Sequence, residues 1–351
     1  MGSPYDHLPG SAFWRSGVAE ADPTAIEGLC APKFRISATD RIMTAGSCFA
    51  QHVHRNLVAR DWAVIDVETP NGPFPREVLN RYGYALYSAR YGNIYTVRQM
   101  VQLLREAQGE FKPAEPVWER DGCYVDAQRP NVEPGGLATP EHVMEARTVH
   151  LRRVLRAVRR ADVFVFTLGL TEVWFHRDTG TVYPTAPGTL AGTYDPEVFA
   201  FHNFSLPEVR DDLEELRTRL MALRPDIRML LTVSPVPLTA TATGGHVMPA
   251  TAYSKATLRA AAGEVAGKYD NVDYFPSYEL VTNPAAGGRF YKENLRSVTE
   301  EGVAAAMRMF FMAHAPEAET APHVSRKQPE DDGLEEADLV CEEALIEASR
   351  S

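Results

Sequence analysis

The chain has 351 residues, 44% of them apolar, and carries a formal net charge of −11 from 36 basic and 47 acidic side chains. That length can bury a substantial core, while the acidic balance argues against nucleic-acid binding through a basic face. No apolar run approaches the ~20 residues of a membrane helix, and residues 1–15 lack the hydrophobic centre of a secretory signal.

The charge is unevenly spread. From Pro316 onward there are eleven acidic and three basic residues, giving −8 and leaving the rest nearly balanced. Segment 316–351 therefore reads as an acidic, disordered tail after a single domain over 1–315. Apolar residues within 334–346 would let it form a short helix on a protein partner. Four scattered cysteines (Cys30, Cys48, Cys123, Cys341) show no CxxC pairing, so neither a zinc site nor a disulfide framework is indicated. The compartment expected from this is the cytoplasm, and no cofactor is expected.

A first strand is predicted over 41–45, followed by Gly46 and Ser47. A helix then opens over 49–59, with Phe49, Val53 and Leu57 on one face. The second strand is expected over 62–67. About ninety residues separate it from the third strand, far more than a crossover needs. This insertion, roughly 68–150, is expected to hold helices over 76–89 and 96–108, the latter capped by Thr96. A loop over 113–136 carries extended pieces near Trp118 and Cys123. It should cover the strand ends and shape a pocket.

A helix over 141–160 precedes the third strand, 162–168, whose continuous Val163-Phe164-Val165-Phe166 run marks a buried strand. A hairpin is expected over 173–183, turning near Asp178-Thr179-Gly180. The remaining alternation is helix 207–223, strand 228–233, helix 252–268, strand 272–275 and helix 300–314, the last capped by Thr299. Alternation of this kind implies a mainly parallel, doubly wound α/β sheet of five strands.

In such a sheet, ligands bind outside the carboxyl ends of the strands. Those ends carry Ser47, then Gly169, Thr171 and Glu172, then Ser234, and finally Ser277 and Glu279. Ser47 stands at a strand end and a helix start, where backbone N–H groups favour developing negative charge. Two roles fit it: acyl-transfer nucleophile or simple helix cap. Cys48 is a second candidate nucleophile, since a thiol at a helix start is reactive. A serine nucleophile needs a base. His246, in the Gly-Gly-His loop after the fourth strand, is the candidate. His176 and His202 are remoter, and His52 and His54 are expected on the helix surface. A Cys48–His52–His54 metal site is poorly spaced for one helix face. Lys255, in Tyr253-Ser254-Lys255, suits an anion or the surface.

Gly46-Ser47-Cys48-Phe49-Ala50 resembles the signature of the GSCFA family, itself similar to the SGNH/GDSL ester hydrolases. Arg90-Tyr91-Gly92-Asn93-Ile94-Tyr95-Thr96, Thr167-Leu168-Gly169-Leu170-Thr171-Glu172-Val173-Trp174 and Thr232-Val233-Ser234-Pro235-Val236-Pro237 fit it too. So do Tyr253-Ser254-Lys255 and Tyr274-Phe275-Pro276-Ser277-Tyr278-Glu279. The resemblance implies a flavodoxin-like three-layer α/β/α sandwich with Ser47 as nucleophile. It also aligns an SGNH Asp-x-x-His block with Glu293-Asn294-Leu295-Arg296, where arginine cannot accept a proton.

The Gly-x-Asn-Asp block aligns with Gly169-Leu170-Thr171-Glu172, so the Thr171 hydroxyl would replace an oxyanion donor and Glu172 would orient His246 or bind substrate. Backbone N–H groups of Ser47 and Cys48 would complete the oxyanion site, with Gly92 or Asn93 as a further contributor. The expected function is a serine esterase or O-acyltransferase acting on an acyl ester of a sugar, glycan precursor or small metabolite. The alternative is a catalytically degenerate fold that binds a glycan or carrier-bound ligand.

Overall fold

The computed structural model describes residues 2–315. The acidic segment 316–351, with its expected disorder and partner helix, lies outside the described residues. In chain order the elements are β1 (Ile42–Gly46), α1 (Cys48–Ala59), α2 (Arg76–Arg81), α3 (Val97–Ala107), β2 (Val117–Arg120), β3 (Cys123–Asp126) and α4 (Pro140–Arg160). Then come β4 (Val163–Leu168), β5 (Glu172–His176), β6 (Val182–Tyr183), β7 (Phe199–Asn203), α5 (Leu206–Leu223) and β8 (Arg228–Val233). The chain continues through α6 (Val247–Lys268), β9 (Val272–Tyr274), α7 (Ser277–Thr282) and α8 (Glu300–His314).

The central sheet is parallel throughout, in the order β1-β4-β8-β9. Successive side chains of a strand point to opposite faces. Met43, Phe164, Phe166, Met229 and Leu231 accordingly pack with apolar residues of α3, α4, α5 and α6. Ile42, Val163, Val165 and Leu230 pack on the other face with α1, α7 and α8. Both faces are covered, which is why these strands read as continuous apolar runs.

The sheet has four strands among the described residues, not the five expected. Residues 62–67 run beside β1 but make only one bridge, Val64 to Ile42. The reason lies on the outer edge of β1. Ile42 bonds Ala63 and Ile65, but Thr44 bonds Ser88 and the Gly46 carbonyl accepts from Ile94 N–H. The insertion takes over the ladder after one step. It thereby delivers residues 88–95 to the end of β1.

Within the insertion, α3 begins as expected, with Thr96 and Gln99 forming a reciprocal capping box. The helix expected over 76–89 stops at Arg81. Gly83 and Ala85 both take positive φ, +73° and +56°, which a right-handed helix does not tolerate. The pieces near Trp118 and Cys123 pair as the hairpin β2–β3. The expected hairpin over 173–183 forms as β5–β6, and β7 joins β5 from its other side as an unforeseen third strand.

Candidate active site

Gly46 ends β1 with φ +144°, and a Cβ there would stand 2.4 Å from the Thr167 carbonyl oxygen. Only glycine passes that close to β4. The turn sets Ser47 at the N-cap of α1, at the carboxyl end of the sheet. Yet Ser47 makes no side-chain capping bond. Its hydroxyl is buried and makes no hydrogen bond among the described residues. A buried hydroxyl without a partner costs free energy, so it calls for an explanation such as an ordered water or a role in chemistry; the Thr167, Thr185 and Thr239 hydroxyls share this state.

The hydroxyl lines a recess of about 10 Å³, the size of about one water molecule. Cys48, Gly169, Ser234 and Lys255 share that lining. Ser47, Gly169 and Ser234 follow the adjacent strands β1, β4 and β8 directly, where an open α/β sheet binds ligands. Lys255 comes from α6. It is buried, and its Nζ donates to the Gly169 carbonyl at 2.6 Å. Tyr95, Leu170 and Leu238 wall the recess and also line a neighbouring cleft of about 260 Å³. Trp174, Tyr183, Phe201 and Glu172 lie along that cleft. A larger cavity of about 340 Å³ lies elsewhere, between residues 24–30 and α8.

The GSCFA family model matches residues 41–310, most of the chain. This protein belongs to the GSCFA family. Among curated proteins, none matches it.

Of the residues singled out in this GSCFA sequence, Ser47, Cys48, Gly169 and Ser234 meet at the recess. The Ser47 N–H points at the Thr167 carbonyl, at 3.4 Å. Ser234 Oγ accepts from Val236 N–H at 3.3 Å. The other expected oxyanion groups are elsewhere. Thr171 is fully buried, and its hydroxyl donates to Asn203 Oδ1 at 2.6 Å. That proton is committed to β7, which sequence reasoning did not foresee. Asn93 lies behind the first turn of α1, its side-chain oxygen accepting from Tyr87 and Gln51. The Tyr87 hydroxyl also stands 3.2 Å from the Ser47 carbonyl, so this cluster fixes the turn from behind. Gly92 adopts φ +67°, a turn conformation that explains its glycine, and does not line the recess.

His246 is not brought to Ser47. The helix α6 starts five residues before its expected position of 252, making His246 its N-cap. Its Nδ1 accepts from Met248 N–H at 3.0 Å, and the ring is exposed and lines neither cavity. Glu172 does not hold it: Glu172 accepts from the Thr241 hydroxyl at 2.6 Å and from Ala242 N–H at 3.2 Å. Arg296 sits in the turn between the bridged residues Tyr291 and Val298, away from the recess. The turn is tied to the rim by Tyr291 Oη, which donates to the Pro235 carbonyl at 2.8 Å.

Four other candidates are bonded into the framework. His54 is buried, not on the surface, and its Nδ1 pairs with Thr44 Oγ1 at 2.8 Å. His202 pairs with Glu208, and Glu279 with Arg259 and Tyr274. Ser277 bonds Thr232 deep in the core. Among the described residues no group of His, Cys, Asp and Glu is arranged to hold a metal, and no helix is long and apolar enough to cross a membrane. Lys255 is the recess-lining residue whose placement the sequence did not show. Its neighbours Tyr253 and Ser254 drew attention to it, but its burial beneath Gly169 is a tertiary fact.

Proposed function

We propose that this GSCFA protein is a serine esterase or O-acyltransferase in which Ser47 forms an acyl-enzyme. The reading is carried by one observation: a buried hydroxyl without a hydrogen-bond partner among the described residues, at a helix start beside the strand ends, facing a recess next to an aromatic-lined cleft. Among the described residues Ser47 makes no capping or structural bond that would have to break, which leaves its hydroxyl available to a base and to an incoming carbonyl. The acyl carbon would sit in the recess and the alcohol portion in the larger cleft.

Trp174, Tyr183 and Phe201 offer apolar ring faces there, and Glu172 an acceptor, a mixture suited to an O-acylated sugar or similar small polyol. An SGNH-like arrangement is part of the proposal. Counting residues 62–67 as a rudimentary edge beside β1 would give the flavodoxin-like order 2-1-3-4-5. The rival reading, binding without turnover, draws on Arg296 and on the committed Thr171 hydroxyl.

A fluorophosphonate probe decides between them. Mass spectrometry should find the adduct on Ser47, lost in Ser47→Ala and retained in Cys48→Ala. Labelling that persists in Ser47→Ala refutes the assignment, and a wild-type protein that never labels favours the binding reading.

A further inference from the structure

Resting on the acyl-enzyme reading, we infer that Lys255, not a histidine, exchanges the proton with Ser47. Both residues line one recess of about a single water's size, and Ser47 Oγ makes no direct hydrogen bond among the described residues, so a single water there would link the amine to the hydroxyl. Gly169 couples them. Its carbonyl accepts from Lys255 Nζ at 2.6 Å, while its Cα side abuts Ser47 so closely that an added Cβ would stand 3.0 Å from Ser47 Cβ. The lysine is therefore fixed in register with the serine by the backbone between them. Both side chains are at least nine-tenths buried. Among the described residues, no histidine lines the recess.

A neutral amine can donate N–H to backbone carbonyls such as that of Gly169 and still present its lone pair to the serine. Lysine serves as a base when it is desolvated in this way. Ser47 Oγ attacks the acyl carbon, forming the C–O bond as its proton passes to Nζ. The resulting ammonium lies beside the oxyanion and offsets its charge. The tetrahedral species then collapses, breaking the bond to the leaving oxygen, which takes the proton from Nζ and departs as an alcohol. Water or an acceptor alcohol next attacks the acyl-enzyme and gives its proton to Nζ. That proton returns to Ser47 Oγ when the new acid or ester leaves.

The test is the rate of fluorophosphonate labelling at Ser47 on the full chain, across pH, in wild type, Lys255→Met, Lys255→Arg and His246→Ala. The inference expects the wild-type rate to rise with pH and to fall about 100-fold or more in Lys255→Met, the usual scale of a lost general base. Lys255→Arg should be as slow, since arginine keeps the charge but cannot accept the proton. Labelling that survives in Lys255→Met but is lost in His246→Ala overturns the lysine and leaves the serine reading intact. Should the lysine variants not fold, the wild-type profile still decides, because a rising limb abolished by His246→Ala assigns the base to the histidine. A wild-type protein in which Ser47 never labels overturns both.

Discussion

Gly169 and Ser47 are packed so tightly that any side chain on the glycine would strike the serine. A Cβ at 169 would lie 3.0 Å from Ser47 Cβ and 2.9 Å from the Tyr95 carbonyl oxygen. Gly169→Ala must therefore shift Ser47, Tyr95 or both. Overpacking of this kind costs about 1–3 kcal/mol, and misplacing a reacting group by about 1 Å can cost about 100-fold in rate. Gly169→Ala should lower the urea midpoint and slow labelling of Ser47 by about 10-fold or more. An unchanged labelling rate would show that the recess tolerates displacement and that Gly169 does not set the serine.

Removing the Ser47 hydroxyl should not destabilise the fold. A serine that caps a helix loses about 1 kcal/mol on substitution by alanine. Ser47 stands at the cap position but makes no capping bond, and its buried oxygen has no partner among the described residues. Deleting an unsatisfied buried polar group recovers its desolvation cost, about 1 kcal/mol or more. Ser47→Ala is thus expected to melt at the wild-type temperature or above it while losing all labelling. A clear drop in melting temperature would return Ser47 to an ordinary structural role.

Much of this was legible in the sequence, for identifiable reasons. β8 and α8 fall where expected, at Arg228–Val233 and Glu300–His314, because a continuous apolar run and a threonine cap are local signals. Ser47 was legible because a glycine between a strand and a helix constrains the residue after it. The fifth strand failed because edge pairing is settled by competition: Ser88 and Ile94 take the positions on β1 that 62–67 would have filled. His246 failed because α6 extends back to it and uses its ring as a cap. Lys255 was visible only as one member of a Tyr-Ser-Lys run, since nothing local reveals that its amine ends under Gly169.

Thr171 is built into the framework rather than the recess, and that placement can be tested. Its hydroxyl donates to Asn203 Oδ1 at 2.6 Å and its N–H donates to Ser254 Oγ at 3.0 Å, so it joins β5, β7 and α6. Thr171→Val removes the first bond and keeps the second. The expected loss is about 1–2 kcal/mol of stability, measured by urea unfolding, with Ser47 labelling at the wild-type rate. A fall in rate on the order of 100-fold, the effect of removing an oxyanion donor, would restore the catalytic role the sequence suggested.

His54 gives the fold a defined acid sensitivity. Burial, reinforced by the Arg55 and Arg76 charges, lowers its pKa from 6.5 to about 4, and Thr44 Oγ1 holds its Nδ1. Between those values the unfolded chain binds the proton and the folded chain does not. Stability from keeping this ring neutral is therefore complete above pH 6.5 and is lost as the pH falls toward 4, at about 1.4 kcal/mol per unit. His52, His150 and His314 are lowered to about 4 as well, so the wild-type slope exceeds that of one group. His54→Asn keeps a polar partner for Thr44 but cannot titrate. Urea unfolding at a series of pH values should give a shallower slope for the variant, by about 1.4 kcal/mol per pH unit within that window. Parallel slopes in the two proteins would mean that His54 is protonated in the fold, with its charge met by a group other than Thr44.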